Sequence, residues 1–189
     1  KQGIQQLTLS ACPPVPNFYG APRKRTFSCH EYNDAVFRYL TSSTEHHLTT
    51  VVMSANRPVT NPDLQSLFAD AVKRLQGSGL SVVLVTSTPR YADSERCLTL
   101  AIRNNTSLEE CRFRFSEASN FADFEALRDL GHSLGIRFID LSEFICPDNL
   151  CSLELDGELV LRDAGHLTNE IQKQLSLFFK SADALKHLR

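Results

Sequence analysis

Apolar residues recur along this chain in two alternating rhythms. Residues 80–86, LSVVLVT, are apolar and largely β-branched on both faces, the pattern of a strand covered on both sides in a parallel sheet. LTTVVMSA at 48–55 and IRFIDL at 136–141 read as further strands. GIQQLTL at 3–9 reads as a short one, stopped by the prolines of SACPPVP. Between these runs the apolar period lengthens to that of a helix. Ser28-Cys29-His30-Glu31 has the form of a capping box, and Tyr32, Val36, Phe37 and Leu40 follow at helical spacing. Asn61-Pro62 predicts a second helix start, with Leu64, Leu67, Phe68, Ala71, Val72 and Leu75 on one stripe and Gly77 and Gly79 at its end. Phe121, Phe124, Leu127 and Leu134, closed by Gly135, predict a third. A last helix is expected from about Thr168, with Ile171, Leu175 and Phe178 inward.

Residues 87–118 break the alternation and read as an insertion with one short helix. Asp156-Gly157, between alternating runs, signals a late two-residue hairpin, and the following run LVLRD reads as a strand that stops at Asp163. Strands alternating with helices imply an α/β fold, an open parallel sheet with helices on both faces. Ligands in such folds bind beyond the C-terminal ends of the strands. Three polar clusters are expected there: Ser54 to Arg57, Thr86 to Tyr91, and Asp163 to His166.

Composition narrows the class. A length of 189 residues fits one domain over 1–189 with the 87–118 insertion inside it. Apolar residues at 42% and charged residues at 22% are ordinary for a soluble globular fold. A net charge of -2 gives no bulk attraction for nucleic acid or an anionic membrane. No apolar run approaches the ~18 residues of a membrane span, and no signal peptide is visible. The chain begins at Lys1 without a Met, which reads as a mature fragment or an excised domain. Six cysteines fall at spacings that favour three local loops: Cys12 with Cys29, Cys97 with Cys111, and Cys146 with Cys151. Disulfides in that pattern would place the domain outside the cytosol. Six buried thiols are the alternative, as is a zinc knuckle at Cys146-Pro-Asp-Asn-Leu-Cys151, but no second close Cys/His pair follows at finger spacing, so no metal is expected.

The candidate chemistry centres on Asp163-Ala-Gly-His166. Gly165 permits a tight turn that brings the carboxylate onto the imidazole Nδ1, fixing the tautomer and leaving Nε2 to accept a proton from a hydroxyl nucleophile. In isolation an Asp-x-x-His is more often a capped turn beside a half-exposed histidine. Asn56, after the 48–55 strand, has an amide that could donate to a developing oxyanion, although such a residue is more often a turn asparagine. His30, His46, His47, His132 and His187 read as surface residues. The absence of a G-x-S-x-G elbow argues against an ordinary α/β-hydrolase, and the absence of G-x-G-x-x-G and Walker A patterns argues against nucleotide binding.

Taken in order, the pieces resemble a family. These are the Cys-Pro-Pro run at Cys12, VVMSANRP at 51–58, VVLVTSTPRY at 82–91, the Cys97 and Cys111 insertion, FIDLSEFICPDNLC at 138–151, and DGELVLRDAGHLT at 156–168. Together they resemble the SGNH-type hydrolase/acyltransferase domain fused to bacterial family-three membrane O-acyltransferases, which O-acetylate surface polysaccharides, lipopolysaccharide among them. The resemblance implies a three-layer α/β/α, flavodoxin-like fold and Ser–His–Asp acyl transfer to a glycan hydroxyl. It further implies an acetyl donor delivered by an N-terminal membrane acyltransferase domain of the same polypeptide, no resident cofactor, and a periplasmic location tethered to the inner membrane. Asp163 and His166 match the family's last catalytic block. Asn56 matches its oxyanion asparagine, in a block that reads Ser54-Ala55-Asn56-Arg57 where the family has G-x-N-D. The family's nucleophile sits in a Gly-Asp-Ser block on the first strand, and this sequence contains no such block. The first, central strand is therefore expected to be absent. Ser10 lies near the end of the 3–9 run without that context and is not assigned as nucleophile. A secreted carbohydrate esterase and a non-catalytic glycan-binding domain are the alternatives.

Overall fold

The computed structural model describes residues 6–7, 12–19, 28–42, 48–54, 59–163 and 165–181. The elements are α1 (Cys29–Ser42), β1 (Thr50–Ser54), α2 (Pro62–Gly77), β2 (Ser81–Val85), α3 (Ser94–Asn104), β3 (Phe113–Arg114), α4 (Phe121–Ser133), β4 (Arg137–Ile139), α5 (Ser142–Ile145), β5 (Leu150–Cys151), β6 (Glu154–Leu155), β7 (Glu158–Leu159) and α6 (Asn169–Ser181). The fold is mixed α/β around a parallel sheet of order β1-β2-β4. The expected run at 3–9 lies largely outside the described residues, and with it the expectation about the first strand.

By contacts the chain divides into two compact units: Lys1–Val85 with Ala126–Phe138, and Thr86–Glu125 with Ile139–Arg189. In the first, β1 and β2 pair in parallel from Thr50↔Ser81 to Ser54↔Val85. Val82 and Leu84 point from β2 into a core with Met53, Phe37, Phe68, Val72 and Leu75. Val83, between them, is also buried, as a strand covered on both faces requires. Helix α2 supplies much of this core because its sequence sets both ends. Asn61 Oδ1 accepts from the amides of Asp63 (2.8 Å) and Leu64 (3.4 Å), and Pro62 fills the first helical position. Helix α1 is capped as its sequence signals: the Glu31 amide donates to Ser28 Oγ at 3.2 Å, and the Ser28 amide donates back to Glu31 Oε2 at 3.1 Å.

In the second unit, buried Thr86 receives the Leu141 amide on Oγ1 at 2.8 Å, and its own amide reaches Ile139 O at 3.1 Å. The insertion holds the single helix α3, a short turn at Leu108–Cys111, and β3, which pairs antiparallel with β5. The late hairpin forms as β6 and β7, with Leu155 opposite Glu158. Asp156 (φ 50°) and Gly157 (φ 81°) both take the positive φ that a two-residue type I′ turn requires. The LVLRD run departs from expectation. Only Leu159 lies in a strand, outside the parallel sheet; beyond it the chain closes a narrow loop through a Leu161↔Leu167 bridge. Hydropathy marks those residues as apolar, but the backbone bonds decide. The Val160 amide goes to Leu153 O (2.9 Å), Arg162 to His166 O (2.7 Å) and Thr168 to Val160 O (3.0 Å). Helix α6 buries Ile171 and Leu175 as expected, while the side chain of Phe178 is outside the described set.

All three local disulfides form: Cys12–Cys29, Cys97–Cys111 and Cys146–Cys151. They replace both the free-thiol and the zinc-knuckle alternatives. Among the described residues no helix is long and apolar enough to cross a membrane, and no group of His, Cys, Asp and Glu is arranged to hold a metal ion.

Candidate functional site

Asp163 and His166 meet at the tip of the loop closed by the Leu161↔Leu167 bridge. Asp163 Oδ1 accepts the amides of Gly165 (3.1 Å) and His166 (2.9 Å), so the backbone folds around the carboxylate. The same turn carries the imidazole onto it, with Nδ1 2.7 Å from Oδ1 and 2.8 Å from Oδ2. The Gly165 amide and then the His166 ring stabilise the charged form and lower the Asp163 pKa from 3.8 to about 2. An ionised carboxylate only accepts, so Nδ1 donates, and in the neutral ring Nε2 is then the nitrogen with the lone pair. The His166 side chain is 67% exposed, which leaves Nε2 open to a substrate. Among the described residues no hydroxyl bonds to it.

The turn rests on the loop after β2. Thr88 Oγ1 donates to the Gly165 carbonyl. The Arg90 side chain lies against Gly165 so closely that a Cβ there would sit 3.1 Å from Arg90 Nε and 3.3 Å from its Cγ. A side chain at 165 would therefore require Arg90 to give way by a few tenths of an ångström. The loop is in turn clamped by buried Asn120. Its Oδ1 accepts the Arg90 amide (2.9 Å), and its Nδ2 donates to Thr88 O and Ser87 Oγ, both at 3.0 Å. The Arg90 carbonyl receives the Ser119 amide at 2.9 Å, and the Tyr91 ring stacks on Phe113 at 4.5 Å.

Of the expected site residues, the structure brings Asp163 and His166 into direct contact, and it places Thr88 and Arg90 of the second polar cluster against the turn between them. Asn56 and Ser10 lie outside the described residues. Asn120 escaped sequence reasoning. It stands just before α4, where an asparagine reads as a helix cap, and its carbonyl does receive the Asp123 and Phe124 amides. Its side chain is committed instead to a loop 30 residues earlier in the chain.

Comparison with known proteins bears on what this turn belongs to. A family model described as the SGNH domain (fused to AT3 domains) matches residues 1–181. Among solved structures, the fold is similar to the periplasmic domain of a lipopolysaccharide acetyltransferase from Salmonella ser. Paratyphi A. The TM-score is 0.64 at 13% identity, covering 88% of this chain and 69% of that one. A search of curated proteins finds no match.

Proposed function

The chain belongs to the SGNH domains fused to AT3 domains, and from that premise we propose that it serves O-acyl transfer, acetyl above all, to a hydroxyl of a cell-envelope polysaccharide. The observation that carries this reading is the Asp163–His166 pair, its carboxylate held by two backbone amides and its Nε2 open. His166 Nε2 takes the proton of a serine hydroxyl as the serine oxygen attacks the acyl carbonyl. The proton then passes to the departing group, leaving an acyl-serine. In the second half, Nε2 takes the proton of the sugar hydroxyl that attacks the acyl-serine and returns it to the serine. Asp163 stabilises the imidazolium in both halves. Asn56 is the proposed oxyanion donor.

The serine belongs to a Gly-Asp-Ser block supplied from upstream of Lys1, and the chain by itself is inactive. The acetyl group is delivered by a membrane acyltransferase domain of the same polypeptide, so the reaction needs no resident cofactor. That attachment tethers the domain to the inner membrane, on the periplasmic side. Three disulfides and the periplasmic origin of the similar structure support that side.

A polypeptide extended upstream to include the Gly-Asp-Ser block should form an acyl-enzyme with an activated acetyl ester, detected as a 42 Da mass increase per acetyl (about one acetyl per chain). Acyl transfer to sugar in preference to water would separate the transferase from a deacetylase. Unchanged acylation in His166→Ala would show that the pair is not the base.

A further inference from the structure

A cavity of about 320 Å³ opens on the first unit, lined by His30, Glu31, Asp34, Arg38 and Arg74. None of these residues takes part in the Asp163–His166 site. Helix α1, which carries four of these five residues, is anchored to the loop before it. Buried Asn33, on α1, donates through Nδ2 to Pro13 O (2.8 Å) and Val15 O (2.7 Å), and the Cys12–Cys29 disulfide ties the same loop to the start of the helix. The same loop carries Tyr19, whose ring lies 4.5 Å from the His30 ring yet is 74% exposed.

The polar groups of the lining are unequally occupied. Glu31 Oε2 accepts both the amide and the hydroxyl of Ser28 at 3.1 Å, and these bonds hold its carboxyl below the usual range. Asp34 has one oxygen 3.4 Å from the Asn17 amide and the other 3.2 Å from His30 Nδ1. Arg38 and Arg74, by contrast, form no ion pair among the described residues. Arg74 is fixed over the Phe37 ring at 5.7 Å, which orients its guanidinium without neutralising it. Of the charged groups in the lining, Arg38 and Arg74 are therefore the two without a hydrogen-bond or ion-pair partner among the described residues, and the exposed Tyr19 ring stands next to His30 of that lining. A guanidinium fork matches the paired oxygens of a carboxylate or phosphate. An exposed tyrosine ring accepts the apolar C–H face of a sugar.

We propose that this cavity is a second glycan site that binds an acidic saccharide, its carboxylate or phosphate held by Arg38 and Arg74 and its ring resting on Tyr19. The inference stands apart from the acyl-transfer reading and does not require it. Amide chemical shifts of the isotope-labelled chain should be followed as trigalacturonate, glucose 1-phosphate or neutral maltotriose is added up to about 50 mM, enough to fill a millimolar site. Saturable shifts at residues 19, 30, 34, 38 and 74 with at least one of the two acids are expected. The arm that binds tells a sugar carboxylate from a phosphate. The double variant Arg38→Gln, Arg74→Gln should weaken binding at least about tenfold, and Tyr19→Ala several-fold, with spectra that remain folded. His166→Ala should leave this binding intact, so failure here and failure of the acyl-transfer reading are separable. The proposal is overturned by no saturable shift with either acid, by equal binding of maltotriose, or by unaltered affinity in a folded double variant.

Discussion

Among the described residues there are two Asp–His contacts, one in each compact unit, and they are not alike. On α1, His30 and Asp34 are separated by one helical turn, with Nδ1 3.2 Å from Oδ2. That contact lacks hydrogen-bond geometry, and Nδ1 is buried without another partner. In the late loop, Asp163 and His166 bring Nδ1 within 2.7 Å and 2.8 Å of the two carboxylate oxygens. The difference lies in the backbone. A helix spends its amides on its own ladder, so a carboxylate at i+4 receives none from its own turn, and the amide that Asp34 does meet, from Asn17 at 3.4 Å, comes from another segment. The Asp163 turn frees the Gly165 and His166 amides to hold the carboxylate first, and the ring docks on an acceptor already oriented. Proximity of the two residue types is common; an oriented and ionised carboxylate is what makes an imidazole a dependable base.

The largest break in this comparison should come from the ring itself. In a polypeptide carrying the Gly-Asp-Ser block, His166→Ala should lower kcat for an activated ester by at least about 10⁴-fold, and Asp163→Asn should be roughly ten- to a hundredfold less severe. Asn120→Ala tests whether the late loop depends on its support. It strips partners from the Arg90 amide and Thr88 carbonyl, so stability should fall by about 1–3 kcal/mol in urea titration. Turnover should fall further than the lost folded fraction explains. A titration of the Asp163 carboxyl carbon by NMR sharpens the contrast in charge. Its folded pKa is depressed, so its contribution to stability is present above the unfolded value near 3.8 and is lost as pH falls through about 2. Any acid limb of activity above about pH 4 therefore belongs to another group. The smallest effect is expected on α1, where His30→Gln should change stability by less than about 0.5 kcal/mol, since a partly exposed one-turn pair without hydrogen-bond geometry contributes little.

Local features were legible in the chain and long-range ones were not. Asp163, Gly165 and His166 lie within four residues, so turn chemistry alone brings them together. The cysteine pairs follow from loop spacing, and the α2 start from Asn61-Pro62. The Thr88–Gly165 bond and the Asn120 clamp join segments 77 and about 30 residues apart, and no periodicity encodes them. The run at 159–163 was misread for a related reason. Apolar alternation identifies residues that can form a ladder but not which ladder, and here Leu159 joins the late hairpin and Leu161 closes a bridge to Leu167 instead of extending the sheet.

The order of the cysteine pairs has a consequence for biogenesis. Each thiol is joined to the next one along the chain, at separations of 17, 14 and 5 residues. A chain threaded amino end first into an oxidising space would expose each pair together, before the following pair arrived. Oxidation of cysteines in order of appearance would yield the native connectivity directly, with no reshuffling by an isomerase. The bonds can thus be set while the chain is still emerging.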